Sequence, residues 1–372
     1  MQPQPRKRRA HLWLWCLLAL GGGGLAVRFW VGDLYRVVSS SMEPTLLPGD
    51  RVWVSYGTSD LKRNDLAVFR NTAGEAVVKR LAGLPNEEVL IDDAGDLWVD
   101  RHRPERSGLW VPIFDDSLLK LDEYFLHGGQ GVDPWSKGDG FWQVDATAVQ
   151  LGHSQGMMRY RDGVHSGRLT PDGRILRGQE EVGDVRLSLD VWIEQPTGVL
   201  RLELTEWADS FQIWVGLDHA GHGLVCLYRP PSFRGKLETA ACALPLKQWI
   251  PMVLQNCDNR IEFRVQGQLV LSHEYLANTP SPLGSIGERV LFGGTGAMLR
   301  FRNVRIDRDV TYTQLGQHGV RKRLQLSNDE YFFLGDNSPV SEDSRSLGPV
   351  DRSRVVGRAR RILWPWARRR PL

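Results

Sequence analysis

The sequence predicts a mainly β protein with a single amino-terminal transmembrane helix and a β domain that is interrupted by an inserted, jelly-roll-like β-sandwich. Three observations predict this architecture. One apolar run lies near the start, short strand-like segments separated by turns extend from Arg36 to about Asp100, and a strict period of two begins near residue 180. No long amphipathic helix is predicted between these features.

The composition excludes several classes of protein. The chain has 372 residues with 47 basic and 44 acidic side chains, a net charge of +3, so bulk charge does not indicate a nucleic-acid partner. Hydrophobic and charged contents of 41% and 24% exclude wholesale disorder, and the length suggests at least two domains. The four cysteines form no C-x-x-C pair, so neither a zinc site nor a dense disulfide scaffold is indicated. We predict no metal and no cofactor.

The amino-terminal region predicts a membrane anchor. A basic stretch at residues 6–9 precedes an apolar run of 17 residues at 11–27, which as a helix spans roughly 25 Å. The positive-inside rule then makes residues 1–10 cytoplasmic and residues 11–31 a single-pass anchor in the inner (cytoplasmic) membrane, with the remainder exoplasmic. A cleaved secretory signal is the alternative, since the glycines at 21–24 weaken a helix.

Two kinds of β sequence follow the predicted anchor. From residue 36 to about 100, short apolar segments alternate with turns that contain Pro-Gly-Asp, Asn-Asp and Ala-Gly. Beyond residue 180, apolar side chains take one parity, as at Val185, Leu187 and Leu189, and the pattern returns at 200–204, 261–265 and 299–302. We therefore predict one β domain in two parts, 32–125 and 311–372, and an inserted β-sandwich with an irregular lead-in at 126–310.

The carboxyl-terminal tail has two interpretations. Trp364 and Trp366 stand between arginines at 358–361 and 368–370. Aromatic residues flanked by cations are typical of a membrane interface, whereas a frayed basic tail is the simpler interpretation.

Three polar segments carry the predicted chemistry. They are the serine cluster at 39–41, the region around Lys79, and the polar loop at 335–350. Serines before a proline usually form only a solvated turn. Lys79, however, lies among strand-forming apolar residues, and burial lowers the pKa of an amine far enough for it to act as a base. The roles of nucleophile for Ser41 and general base for Lys79 are assigned by the family resemblance that follows, and this chemistry supports them.

These segments resemble the boxes of type I signal peptidase (peptidase family S26), the membrane-anchored Ser/Lys protease that removes signal peptides. The matches are S-x-S-M-x-P-T-L from residue 39, G-D-x-x-x-V from 49, N-D-x-x-x-F from 64, K-R-x-x-G-L-P from 79, and G-D-N-x-x-x-S-x-D-S-R from 335. Their order and spacing agree with that family, and the resemblance covers residues 1 to about 120 and 311 to 365, about half of the chain.

The resemblance implies further roles. The Ser39 hydroxyl and the Ser41 N–H form the oxyanion hole, and Ser341 positions the lysine. Supporting roles fall to Asp336, Asn337, Asp343, Ser344 and Arg345, with an ion pair between Asp343 and Arg345. Shallow pockets that accept small residues, as in A-x-A, are lined by Val37, Met42, Leu46 and Val78. The implied partners are exported preproteins and the lipid bilayer.

The chain departs from the family pattern at a few positions. Asn64 and Asn86 stand where the family usually has glycine, and we expect both to adopt a positive φ, which asparagine tolerates. Ser338, Pro339 and Val340 replace a more polar stretch, which puts the local hydrogen bonds of the last box in doubt.

The insert resembles laminin-G or concanavalin-type modules, including those of large planctomycete-type signal peptidases. This leaves open a carbohydrate or cell-envelope ligand, with Trp192, Trp207 and Trp214 as stacking residues, although an aromatic residue on a strand more often belongs to the core. A disulfide between Cys226 and Cys242, with Cys257 free, also stays open in an exoplasmic compartment.

Signal peptide removal is therefore the predicted function. The alternatives are a dedicated Ser/Lys peptidase for a narrow substrate set and a membrane-tethered binding protein led by the β-sandwich. The membrane span argues against a self-cleaving protein of the LexA type. The presence of Ser41, Lys79 and Ser341 argues against a pure binding protein.

Overall fold

The computed structural model describes residues 32–93, 95–102, 110–116, 135–145, 147–160, 163–169, 175–176, 182–206, 209–218, 221–230, 235–276 and 289–372. The chain divides into two compact units, one formed by residues 1–106 with 311–372 and the other by 107–310. The predicted cytoplasmic segment and membrane anchor lie outside the described residues. Within the described ranges, no helix has the length and apolar character that a membrane crossing requires.

The first unit consists of short strands. These are β1 (Gly32–Arg36), β2 (Arg51–Tyr56), β3 (Leu66–Arg70), β4 (Ala76–Gly83), β5 (Glu88–Ile91), β6 (Leu97–Val99), β22 (Leu324–Gln325), β23 (Glu330–Leu334), β24 (Val350–Asp351), β25 (Val355–Trp364) and β26 (Arg370–Pro371). One short helix, α1 (Ser344–Leu347), and 3₁₀ turns at Ser338–Val340, Arg352–Arg354 and Trp366–Arg368 connect them. The strands predicted between residues 51 and 99 are thereby confirmed.

Eight of these strands form one antiparallel sheet in the order β1-β2-β25-β3-β4-β23-β24, with β26 beside β25. A small sheet, β22-β5-β6, completes the unit. Strand β3 is buried on both faces, since Val68 belongs to one apolar cluster and Phe69 to a second one. Both clusters draw on segments from each end of the chain, which is why the two sequence-distant parts fold as one body.

Two asparagines close turns of this unit. Asn64, before β3, has φ of 72°, and Asn86, before β5, has φ of 68°. The expectation of a positive φ at both positions is confirmed. An asparagine is tolerated there because its short polar side chain fits the left-handed region better than most side chains do.

The second unit is also built from strands. They are β7 (Val111–Asp115), β8 (Trp135–Lys137), β9 (Trp142–Val144), β10 (Val149–Tyr160), β11 (Arg168–Leu169), β12 (Ile175–Leu176), β13 (Val185–Ile193), β14 (Val199–Glu206), β15 (Asp209–Leu217), β16 (His222–Tyr228), β17 (Lys236–Ala243), β18 (Trp249–Cys257), β19 (Arg260–Val265), β20 (Gln268–Glu274) and β21 (Val290–Arg308).

The long strand β21 organises this unit. Its first part, up to Thr295, pairs with β14, and its second part, from Leu299, pairs with β13. The resulting order is β17-β16-β15-β14-β21-β13-β18-β19-β20, with β10 and β7 on the other side of β21. Buried and half-buried residues alternate strictly along β13, so the period of two predicted there is confirmed. The mainly β class predicted for the whole chain is confirmed as well.

The second unit holds the three described cysteines, and none of the three forms a disulfide with another described residue. Cys226 on β16 lies opposite Thr239, whereas Cys242 on β17 lies opposite Gly223. A register offset of three residues separates the two Cα atoms by about 10 Å along the strands, which exceeds the span of a disulfide. The pairing of Cys226 with Cys242 is therefore absent from this fold.

Two of the tryptophans considered for sugar stacking are engaged with protein neighbours. The ring of Trp192 packs against that of Trp249, and the Arg201 guanidinium lies over the ring of Trp214. Trp207 lies outside the described residues. A carbohydrate ligand of this unit stays a prediction.

Candidate active site

Strand β4 brings a buried amine to the serine cluster. Lys79 is 4% exposed, and its Nζ lies 2.6 Å from the Oγ of Ser41, a residue 38 positions earlier in the chain. Ser41 itself is 7% exposed and begins the turn that follows β1. On the same side of β4 as the lysine stand Val77 and Leu81, because side chains two positions apart share a face. The amine thus meets the hydroxyl in surroundings that exclude most water.

A second hydroxyl contacts the same amine. Ser341 follows the 3₁₀ turn Ser338–Val340, and its Oγ lies 3.0 Å from Lys79 Nζ. A Cβ at Gly335 would lie 2.0 Å from that Oγ and 2.7 Å from the Ser41 carbonyl oxygen. Position 335 therefore admits only glycine while Ser341 keeps this place.

Burial changes the acid–base behaviour of Lys79. Desolvation lowers its pKa from the ordinary value of 10.5 to about 8. The carboxylates of Asp343 and Asp336 act in the opposite direction, and the positive charge of Arg345 adds to the lowering. Desolvation outweighs the attraction of the acidic groups, so a substantial fraction of the amine is neutral near pH 8.

Hydrogen-bond donors lie beside the Ser41 hydroxyl. The Ser39 side chain is exposed, and its Oγ is 3.1 Å from Ser41 Oγ. Among the described residues, the Ser41 N–H has no acceptor. This leaves a backbone donor and a side-chain hydroxyl available next to the same oxygen.

Asp343 and Arg345 form a fully buried ion pair. Arg345 Nε donates to Asp343 Oδ1 and Nη2 to Oδ2, both at 2.9 Å, and the two side chains are 0–2% exposed. The other Asp343 contacts include the N–H of Gly335 at 2.9 Å. Ser344, the next residue, accepts the N–H of Phe333 through its Oγ. The pair and its neighbours hold the loop that carries Ser341 against β23.

Residues 338–340 depart from the family pattern in the motif that begins at Gly335, and they take part in hydrogen bonds of their own. Ser338 Oγ accepts from Arg345 Nη1 at 2.6 Å and from the N–H of Thr313 at 2.7 Å. Arg345 Nη1 also donates to the Thr313 carbonyl. The departure at 338–340 therefore leaves the guanidinium fully hydrogen-bonded.

Asp336 and Asn337 connect this loop to the serine cluster. Asp336 accepts from Arg80 Nε at 2.7 Å and from Arg80 Nη2 at 2.6 Å. Thr45 Oγ1 donates to Asp336 Oδ2 at 2.5 Å. Asn337 donates its side-chain amide to the Ser40 carbonyl and its N–H to the Ser41 carbonyl, both at 3.0 Å. These bonds fix the distance between the Ser41 and Ser341 segments.

Arg80 and Thr45 were absent from the residues singled out in the sequence. The sequence held one signal for this contact, which is the position of Arg80. Arg80 follows Lys79 in an apolar strand, and an arginine buried there needs a carboxylate partner. The partner lies 256 positions away in the chain, and pattern reasoning does not identify it.

The four residues assigned to substrate pockets lie together, and one of them, Met42, directly follows Ser41 in the chain. Val37, Met42 and Leu46 belong to one apolar cluster, against which Val78 packs. Met42 and Leu46 present almost no surface, whereas Val78 is partly exposed. Their role as pocket walls stays a prediction.

The match to a known family falls on two segments, one toward each end of the chain. A β scaffold that places a serine hydroxyl on a buried lysine amine defines a hydrolase-type site, and the family described as "Signal peptidase, peptidase S26" matches residues 9–109 and 266–364. Because the match covers more than half of the sequence, the chain belongs to this family.

Individual relatives are similar over part of the chain. Probable signal peptidase I-2 of Synechocystis is 34% identical over 125 residues, which are 30% of this chain and 55% of that protein. Signal peptidase I T of Bacillus subtilis is 26% identical over 31% of this chain and 68% of its own. Signal peptidase I of Bacillus licheniformis is 25% identical over 39% and 86%. The chain thus spans about half the length of the Synechocystis relative.

Solved structures resemble the chain only weakly. The carbohydrate-binding module CBM66 from Bacillus subtilis has a TM-score of 0.29 at 15% identity, covering 46% of this chain and 93% of its own. A Bacillus subtilis protein with a galectin-like fold has a TM-score of 0.35 at 10% identity, covering 54% and 97%. These scores are too low to assign a fold to the second unit.

Proposed function

We propose that this chain is a membrane-bound serine endopeptidase that removes amino-terminal signal peptides from exported preproteins. The observation that carries the proposal is the 2.6 Å contact between Lys79 Nζ and Ser41 Oγ in a buried setting that lowers the lysine pKa to about 8. An amine in this state takes the serine proton without a histidine. Membership of the signal peptidase family supports the same reaction.

The proposed chemistry begins with proton transfer. In the neutral amine, the Ser41 hydroxyl donates to the Lys79 nitrogen lone pair, while an N–H of the amine donates to Ser341 Oγ, which keeps the lone pair aimed at Ser41. As Ser41 Oγ bonds to the scissile carbonyl carbon, its proton moves to Nζ. The resulting ammonium then donates that proton to the leaving amine, and water completes hydrolysis of the acyl-enzyme by the same route.

The negative charge that develops on the substrate oxygen needs donors. We assign this role to the Ser41 N–H and the Ser39 hydroxyl, which lie beside the attacking oxygen. Preorganised donors of this kind typically contribute about 100- to 1000-fold to kcat each.

Specificity for small residues follows from the apolar surroundings of Ser41. Of the four pocket residues, Val78 is partly exposed, and it packs against the buried side chains of Val37, Met42 and Leu46. Shallow apolar walls accept alanine and exclude larger side chains by steric overlap. This supports cleavage after A-x-A.

The bilayer is the second proposed partner, through an anchor at residues 11–31. This proposal is supported by one face of the eight-stranded sheet, the face opposite the apolar cluster that contains Val37, Met42 and Leu46. Leu34, Trp53 and Arg361 form one row across β1, β2 and β25, and Arg36, Arg51 and Trp364 form the next. In the described part of the chain, these three arginines have no carboxylate partner. Indoles beside unpaired cations suit an anionic headgroup layer.

The function is tested with the detergent-solubilised full-length protein and a preprotein that ends its signal peptide in A-x-A. We expect a single cut after the second alanine, read by mass spectrometry of the product. A matched preprotein with phenylalanine at that position should stay intact. Cutting at unrelated sites, or equal cutting of both preproteins, would contradict the proposal.

The rate of cleavage should depend on pH through Lys79. Because only the neutral amine accepts the serine proton, kcat should rise as pH increases and level off above about 8, the pKa of Lys79. Between pH 6 and pH 8 the neutral fraction of such an amine rises about 50-fold, and the rate should follow it. A flat profile over this interval in the wild-type protein would exclude Lys79 as the base.

A further inference from the structure

Residues 37–50, which we name the Ser41 loop, connect β1 to β2. Its two ends are joined, since the N–H of Val37 donates to the Asp50 carbonyl and the N–H of Gly49 to the Val37 carbonyl, both at 2.8 Å. Inside the loop, the N–H of Leu46 donates to the Met42 carbonyl at 2.9 Å. Asn337 holds the Ser40 and Ser41 carbonyls, so the part of the loop that still has to be fixed is its far side, around Thr45.

A buried carboxylate lies at the end of this loop. Asp50 is 1% exposed, and its Oδ2 accepts the N–H of Leu47 at 2.9 Å. Arg368 donates to both oxygens of this carboxylate, from Nε to Asp50 Oδ1 and from Nη2 to Asp50 Oδ2, each at 3.0 Å. A two-point guanidinium–carboxylate contact fixes direction as well as distance. Arg368 forms the ion pair with this buried carboxylate, and the positive charge of Arg370 interacts with it as well.

The same arginine reaches the middle of the loop. Arg368 Nη2 donates to the Thr45 carbonyl at 3.3 Å, and Arg370 Nη2 donates to that carbonyl at 3.0 Å. The Thr45 side chain bonds to Asp336, on the segment that leads to Ser341. Thr45 is therefore held from two directions, by the Ser341 segment and by the last residues of the chain.

The carboxyl-terminal residues are themselves fixed. Strand β26 pairs back onto β25, where Arg370 faces Ile362. The N–H of Leu372 donates to the Arg360 carbonyl at 3.0 Å, and the Leu372 side chain packs on the apolar cluster beside the loop. The arginine donors thus project from ordered backbone, as a positioning group requires.

We propose that Arg368, assisted by Arg370, is a positioning residue that orients Ser41 toward Lys79 by holding the Ser41 loop. It touches no reacting atom and acts through Asp50 and Thr45. This inference rests on the proposed peptidase function and identifies the residues that set the geometry of its nucleophile. A displacement of about 1 Å at a reacting group costs about 100-fold in rate, so small movements of this loop matter.

The test compares Arg368→Ala with Arg368→Lys and Arg370→Ala in the full-length protein. We expect kcat for A-x-A preprotein cleavage to fall about 10- to 100-fold in Arg368→Ala with KM little changed. Arg368→Lys should recover part of the loss, and Arg370→Ala should lose less. The pH midpoint should stay near 8, because the surroundings of Lys79 are unchanged. Arg369→Ala is the matched control, since that guanidinium lies over the Trp366 ring.

A second readout does not depend on cleavage. Hydrogen exchange at the amides of Leu46 and Leu47 should accelerate in Arg368→Ala and stay at the wild-type rate in Arg369→Ala. In the cleavage assay, added guanidinium should restore part of the kcat of Arg368→Ala. Wild-type kcat and exchange in Arg368→Ala would overturn the inference, as would a shifted pH midpoint. If the wild-type protein cleaves no preprotein, the peptidase function is refuted. Faster exchange in Arg368→Ala would then still support the contact between Arg368 and the loop. If Arg368→Ala does not fold, wild-type kcat in both Arg368→Lys and Arg370→Ala overturns the inference.

Discussion

Replacement of Lys79 by alanine is expected to lower kcat for preprotein cleavage by about four orders of magnitude or more, and Ser41→Ala should have an effect of the same size. Without the amine, nothing in the described site takes the proton from the Ser41 hydroxyl, and without the hydroxyl no acyl-enzyme forms. The two losses should not add in the double variant, because the pair acts as a unit. The measurement is product formation under single-turnover conditions.

Lys322→Ala is the control for a general effect of removing a lysine, since Lys322 is exposed in the same unit. It should cleave at the wild-type rate. A folded Lys79→Ala protein that retains more than a hundredth of the wild-type rate would contradict the assignment of the base. Retained cleavage in Ser41→Ala would contradict the assignment of the nucleophile.

Removal of the buried guanidinium by Arg345→Met is expected to lower the free energy of unfolding of the first unit by about 3–5 kcal/mol. The loss arises because Asp343 keeps its charge at a fully buried position and loses the two donors that balance it. The carbonyls and hydroxyls around Thr313 and Ser338 lose their partner as well. Denaturant unfolding, followed by a probe in this unit, measures the difference.

Arg352→Met provides the matched surface control. Arg352 pairs with Asp329 at 3.6 Å, and both side chains are about half exposed. Exposed ion pairs contribute about 0–1 kcal/mol, so this substitution should change the unfolding free energy by no more than that. Equal losses in the two variants would show that burial of the Asp343–Arg345 pair has no special consequence for stability.

Local pattern was sufficient for much of the fold. The alternation along β13 and the strands between residues 51 and 99 are read directly from side-chain polarity, because a half-buried strand repeats every two residues. The positive φ at Asn64 and Asn86 was expected from the family resemblance, because the family usually has glycine at these two positions. The sequence left a disulfide between Cys226 and Cys242 open, and the structure decides against it because strand register, rather than proximity in sequence, sets which residues oppose each other.

The site was less accessible from the sequence. Motif order pointed to Ser41, Lys79 and Ser341, and the structure places all three within hydrogen-bond reach. The contacts of Arg80 with Asp336 and of Arg368 with Asp50 were not anticipated. Each joins residues more than 250 positions apart. The sequence around an arginine does not indicate which distant carboxylate it will pair with.

The sequence by itself determined the β class of the chain, the period of its strands, the turn positions that need a positive φ, and the residue types from which a Ser/Lys site is built. Only the tertiary structure decided that Lys79 is desolvated, that Gly335 leaves room for Ser341, and that the last arginines of the chain hold the Ser41 loop. The physical reason is range: polarity pattern and backbone preference act over a few residues, whereas burial and charge pairing depend on neighbours that folding brings from the other end of the chain.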